Sequence, residues 1–243
     1  MLLYLHGFRS SPRSFKAQLV QQRLRERGLG RYYACPMLDV SPARAIEQAE
    51  AAIAAARLSS SSDRPLAIVG SSLGGYYARW LGERHGCPTV LLNPAVHPWT
   101  DLERHLGEQP LWHGGGSVKV ERHHLQELLD LRVDTLRHPE RFYLLAATGD
   151  EVLDYREMVA SCPGARIRVI EGSDHGISEF ADYVDEVLDF CGYGTAGEGR
   201  DDSGARDDHT DDHKEGNKDG NKDGNKDGNK DGNKDGNKEG GNA

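Results

Sequence analysis

Residues 67–80 read AIVGSSLGGYYARW: a short apolar run, a turn rich in glycine and serine, then a helix-forming segment. Gly70-Ser71-Ser72-Leu73-Gly74 fits G-x-S-x-G with Ser72 at its centre, after a strand and before a helix. In that setting the central serine occupies a sharp, strained turn. Side chains at the flanking positions would collide with the turn, so Gly70 and Gly74 stand there. The helix that follows aims its free N–H groups and the positive end of its dipole at the serine. Ser71 then faces the wrong way and reads as a turn residue. Turns of this composition also occur at strand–helix junctions that carry no chemistry, and a serine is inert without a base to take its proton. The motif therefore makes demands on the rest of the chain.

Outward from this turn, short apolar runs bounded by turn residues predict strands at Leu2–Leu5, Tyr32–Cys35, Leu66–Val69, Thr89–Leu92, Phe142–Ala147 and Ile167–Ile170. Most lack polar–apolar alternation, as parallel strands covered on both faces do. Helical patterns lie between them, at Phe15–Arg27, Pro42–Leu58, Leu73–Arg84, Leu153–Ala160 and Ile177–Phe190, with Ser41 as the N-cap before Pro42. Such alternation predicts an α/β domain with a mostly parallel sheet of about six strands and helices on both faces. One stretch breaks the rhythm. Residues 94–139, after the fourth strand, hold no good strand but carry prolines, the run Gly114–Gly116 and a helical piece at His123–Leu131. An insertion of this length reads as a lid over the ligand crevice, with a packing appendage as the alternative.

A serine nucleophile needs a histidine, and VIEGSDHGI supplies His175 just past the last predicted strand. His97 and His113, both in the insertion, are the other contenders. His85, His105, His123, His124 and His138 lie in charged helical surroundings and read as solvated. The imidazole in turn needs a carboxylate. Asp150 follows the fifth strand and the turn at Gly149, with Glu151 and Asp154 as rivals and capping of the next helix as its structural alternative. Donors for a developing oxyanion are the N–H of Leu73, the residue after the serine, and the N–H of Phe8 in the loop LHGFRSSP after the first strand. His6 in that loop reads as an organiser of hydrogen bonds. Ser72, Asp150 and His175 each fall at the carboxyl end of a different predicted strand, where open α/β sheets bind ligands.

Composition narrows the class. The net charge is −9; residues 196–243 hold 14 acids and 9 bases (−5), and residues 1–195 hold 25 and 21 (−4). A mildly acidic body gives no footprint for nucleic acid and no attraction to an anionic membrane. Four scattered cysteines without a CxxC pair point to reduced thiols and a cytoplasmic protein, not to a disulfide framework or a metal site. No cofactor is called for. Residues 1–195 suffice for one domain. Residues 196–243 have three alanines as their only apolar side chains and predict a disordered, low-complexity tail. Its Asp-Gly-Asn-Lys repeat matches the start of a calcium loop at Asp219, Asn221, Asp223 and Gly224, but lysine stands where the twelfth-position glutamate belongs.

YLHGFRSSPRS, AIVGSSLGGYYA, NPAVHP, TGDEVLDYR and IEGSDH together resemble the small bacterial YqiA-like esterases of the α/β-hydrolase superfamily, over about Leu3 to Phe190. The resemblance implies a trimmed α/β-hydrolase fold and a Ser–Asp–His triad, which falls on Ser72, Asp150 and His175. It also implies hydrolysis of small acyl esters or thioesters. A catalytically idle fold kept as a binding module, or a peptidase or lyase on the same scaffold, are the competing readings.

Overall fold

The computed structural model describes residues 1–58, 64–112 and 115–194. The predicted tail and His113 lie outside the described residues. The main sheet has six strands: β1 (Leu2–Leu5), β2 (Tyr33–Ala34), β3 (Ala67–Ser71), β4 (Thr89–Leu92), and, after the insertion, β7 (Phe142–Ala147) and β8 (Arg166–Ile170). Their order is β2-β1-β3-β4-β7-β8 and every neighbouring pair is parallel. Helices α1 (Phe15–Glu26), α2 (Pro42–Leu58), α3 (Leu73–His85), α6 (Tyr155–Ser161) and α7 (Val184–Phe190) connect or follow the strands.

The unbroken apolar strands are explained by a core on each side of the sheet. Leu3, Leu5, Ile68, Leu91 and Leu144 face α2, α3 and α6, whereas Leu2, Tyr4, Val69, Val90 and Leu145 face α1 and α7. Successive side chains alternate between the two faces, and both faces are covered, so every position is apolar. The edge strand β8 differs. Its residues Arg166–Val169 are exposed, and Arg168 reaches Glu186 at 3.1 Å, a charged edge of the kind that discourages pairing with another sheet. The order in which strands are added reverses between β1 and β3, since β2 lies on one side of β1 and β3 on the other. Ligand crevices in open α/β sheets form at the carboxyl ends of such a pair.

Several details depart from the sequence expectations. The insertion contains a two-stranded antiparallel hairpin, β5 (Gly107–Pro110) with β6 (Ser117–Val120), besides α4 (Pro98–Asp101) and α5 (Arg122–Asp130). A glycine and a proline in β5 hide it from a propensity reading. Ser71 is the last residue of β3 and not a turn residue. The helix expected from Ile177 to Phe190 is a 3₁₀ turn at Phe180–Asp182 followed by the shorter α7. His124 is buried and caps α5, its Nδ1 accepting the Glu121 N–H at 3.1 Å, and His85 is held between Glu50 and Arg57; neither is solvated. Ser41 caps α2 as expected, its Oγ accepting the Arg44 N–H at 3.3 Å. Among the described residues, no helix is long and apolar enough to cross a membrane.

Candidate active site

Ser72 joins β3 to α3 with φ 56° and ψ −122°, a conformation that costs a non-glycine residue about 1–3 kcal/mol. Its N–H donates to Leu92 O at 3.0 Å, and its carbonyl accepts from Gly75, Tyr76 and Ala95. The flanking glycines are sterically required. A Cβ at Gly70 would come within 2.6 Å of the Ala78 Cβ and overlap Gly74 O; one at Gly74 would overlap Leu5 O and reach His6 O at 2.6 Å. The absence of these Cβ atoms lets α3 pack against the end of β1, and Gly7 lies beside the serine. A Cβ built on Gly7 would lie 3.6 Å from Ser72 Oγ.

Of the two expected oxyanion donors, Leu73 follows Ser72 at the start of α3, and Phe8 follows Gly7, the residue after β1 that packs against the serine. Neither N–H is engaged by another group among the described residues. His6 organises this loop as anticipated: its Nε2 accepts the Leu38 N–H at 3.0 Å and its Nδ1 donates to Gly7 O at 3.0 Å. Both ring nitrogens are thereby committed.

Asp150 and His175 are brought together. His175 Nδ1 donates to Asp150 Oδ2 at 2.7 Å, and the Asp150 side chain is 0 % exposed. The other carboxylate oxygen accepts the N–H groups of Val152 and Leu153, each at 2.8 Å. A buried carboxylate is tolerable when its lone pairs are filled in this way. The bond to Nδ1 fixes the imidazole tautomer and leaves Nε2 as an acceptor. Gly149 makes the approach possible, because a Cβ there would sit 2.7 Å from Ser173 O. The rival carboxylates have other partners. Asp154 caps α6 through the Arg156 N–H at 2.8 Å, and Glu151 accepts the backbone N–H of His175 at 3.0 Å. Asp174 turns toward Ser178, whose hydroxyl and N–H hold its carboxyl below the usual range. His97 is exposed and packs edge-on against Trp99, with 5.4 Å between ring centroids.

Two residues without an assigned role in the sequence reading hold the histidine loop. Asn93, fully buried after β4, donates through Nδ2 to Asp174 O (3.0 Å) and His175 O (3.1 Å) and accepts the Ala147 N–H at 2.8 Å. Lys16, in α1, donates to Gly176 O at 2.7 Å. Burial lowers its pKa to about 8, against the pull of Asp174 and Asp150. Asn93 stood in the sequence as a polar residue ending an apolar strand, which was a usable signal. Lys16 looked like any solvated helical lysine. Among the described residues, all four non-glycine residues with positive φ (Arg9, Ser72, Asn93, Ile177) follow the carboxyl ends of β1, β3, β4 and β8. The strained non-glycine backbone is thus gathered at one edge of the sheet. No cluster of three metal-ligating side chains occurs among the described residues.

The fold is that of known esterases. Est1E from Butyrivibrio proteoclasticus, solved with ferulic acid bound, superposes with a TM-score of 0.62 at 17 % identity, covering 78 % of this chain and 86 % of its own. The esterase domain of a Rhodothermus marinus protein gives 0.54 at 18 % identity, covering 79 % and 85 %. An esterase of Pyrococcus furiosus gives 0.54 at 14 %, covering 80 % and 82 %. At these identities the likeness establishes the α/β-hydrolase fold alone. The model of the uncharacterised protein family UPF0227 matches residues 1–192, and with that match the chain belongs to this family, the YqiA-like group.

Proposed function

We propose that the protein is a serine hydrolase that cleaves acyl esters or thioesters through an acyl-enzyme. The observation that carries this reading is the 2.7 Å bond between the His175 ring and the fully buried side chain of Asp150, on loops at the same sheet edge as the strained Ser72. Ser72 Oγ attacks the acyl carbonyl while His175 Nε2 takes its proton, and the carbonyl π electrons move onto oxygen. The N–H groups of Leu73 and Phe8 stabilise that oxyanion, each such donor being worth about 10²–10³ in rate. On collapse, the bond to the alcohol or thiol breaks and His175 returns its proton to the leaving atom. Water, deprotonated by His175, then attacks the acyl-serine and releases the acid. Asp150 stays ionised throughout and steadies the imidazolium.

A fluorophosphonate probe and 4-nitrophenyl acetate test this together. Ser72→Ala should abolish labelling and lower kcat/KM by at least ~10³-fold. Asp150→Asn should lower kcat by about 10⁴-fold, because it favours the wrong tautomer. Near-normal hydrolysis by Ser72→Ala overturns the assignment, and labelling without turnover points instead to a fold kept for binding.

A further inference from the structure

A narrow cleft of about 40 Å³ opens beside the two N–H groups assigned to the oxyanion. Phe8, Leu38, Val40 and Leu73 line its inner side, and Leu111 and Val118 of the insertion hairpin line its outer side. Of its polar neighbours, the buried Tyr77 hydroxyl has no hydrogen-bond partner, while His6 and Asp39 are engaged. His6 accepts from Leu38, and Asp39 accepts the Ser41 N–H at 2.9 Å and faces Arg44. Apart from that one hydroxyl, the side chains nearest Phe8 and Leu73 are apolar, and this apolar lining begins where an acyl carbonyl oxygen would sit.

Val118 lies in β6 of the two-stranded hairpin and Leu111 directly follows β5; among the described residues this sheet has no ladder to the main one. Arg9 fastens it. Its Nε donates to Pro110 O, its carbonyl accepts the Trp112 N–H at 3.0 Å, and its guanidinium lies over the Trp112 ring, 4.2 Å from the centroid. Trp112 is 67 % exposed, so this stacking is a surface clasp and not part of a core. Arg9 directly follows Phe8 and holds φ 58°, a left-handed conformation for which its side chain gives no local reason. The strained turn aims the arginine at the hairpin while setting the Phe8 peptide beside Ser72.

Resting on the reading of Ser72 as nucleophile, we propose that this cleft binds the acyl group, that it admits short unbranched apolar chains, and that Arg9 is a positioning residue which clasps the outer wall and the oxyanion loop together. Water-sized spaces of this volume hold roughly two to four carbons. Longer chains must displace the hairpin.

The test is a series of 4-nitrophenyl esters from acetyl to dodecanoyl, read as ratios of kcat/KM so that the folded fraction cancels. The full-length wild type should favour acetyl to butyryl over octanoyl by at least tenfold. Val118→Phe should lower the butyryl-to-acetyl ratio at least tenfold. Arg9→Gly, which suits the left-handed turn and removes the clasp, should raise the octanoyl-to-acetyl ratio at least fivefold and lower kcat for acetyl. A wild-type preference for octanoyl, or ratios unchanged within twofold in both variants while hydrolysis remains dependent on Ser72, overturns the proposal alone. Hydrolysis indifferent to Ser72→Ala overturns the reading beneath it as well.

Discussion

At Asn93 every polar atom of one side chain has a partner. Two donations run to the histidine loop and one acceptance comes from the N–H of Ala147, the last residue of β7, while its own backbone N–H donates to Leu145 O at 2.9 Å. One amide thus ties the ends of β4 and β7 to the loop that carries His175, and accepts a left-handed backbone (φ 41°) to do so. Asparagine tolerates that conformation better than most residues. Replacing it by aspartate preserves shape and the acceptor but turns a carboxylate oxygen toward two carbonyl oxygens. Asn93→Asp should therefore lower kcat more than Asn93→Ala does, by about tenfold or more, with KM little changed, because an uncompensated buried charge outweighs lost hydrogen bonds. Single-turnover hydrolysis of 4-nitrophenyl acetate reads this. Equal losses in the two variants would reduce Asn93 to a packing role.

At the scale of elements, α1 is docked to the histidine loop by a lysine, which makes that contact sensitive to alkaline pH. In the unfolded chain Lys16 titrates near 10.5, and in the folded protein near 8, because burial disfavours its charge. Between those values the unfolded state holds a proton that the native state has released, so native stability rises with pH. The gain is complete above 10.5 and lost as pH falls through about 8. Wild type should gain on Lys16→Met across pH 8–10 by up to ~1.4 kcal/mol per unit, as read by urea unfolding of both proteins. Parallel stabilities would show that the amine is solvated. Lys16 also marks the limit of what the sequence disclosed. The strands, the serine turn and the Asp150 and His175 loops were legible because each is a local signal, an apolar run closed by glycine or aspartate. The hairpin at Gly107–Pro110 and Ser117–Val120, and the carbonyl partner of Lys16 some 160 residues away, exist only through tertiary pairing and leave no local pattern. His124 misled for the same reason, since a capping histidine and a solvated one have the same neighbours in sequence.

Across the whole domain, strain and reinforcement sit at opposite edges of the sheet. Among the described residues, the non-glycine residues of positive φ lie at the carboxyl edge, and such conformations cost on the order of 1–3 kcal/mol each. At the amino edge, Tyr193 is 0 % exposed, donates its hydroxyl to Pro65 O just before β3 at 3.2 Å, and meets Tyr32 edge-on with centroids 6.4 Å apart. Its carbonyl accepts from Arg27 at 2.7 Å, joining α1 to the end of α7 beside the Arg23–Asp185 pair at 2.9 Å. Tyr193→Ala empties a large buried site, which typically costs about 3–5 kcal/mol. In a domain of this size that lowers Tm by roughly 6–20 °C. Tyr193→Phe gives up one hydrogen bond and should cost about 1 kcal/mol. Because none of these contacts reaches Ser72, Asp150 or His175, kcat/KM of Tyr193→Ala measured well below its Tm should stay within twofold of wild type. A loss of activity in step with the loss of stability would mean that the two edges are coupled, and that the strain around Ser72 is held by the fold as a whole instead of by the loops that adjoin it.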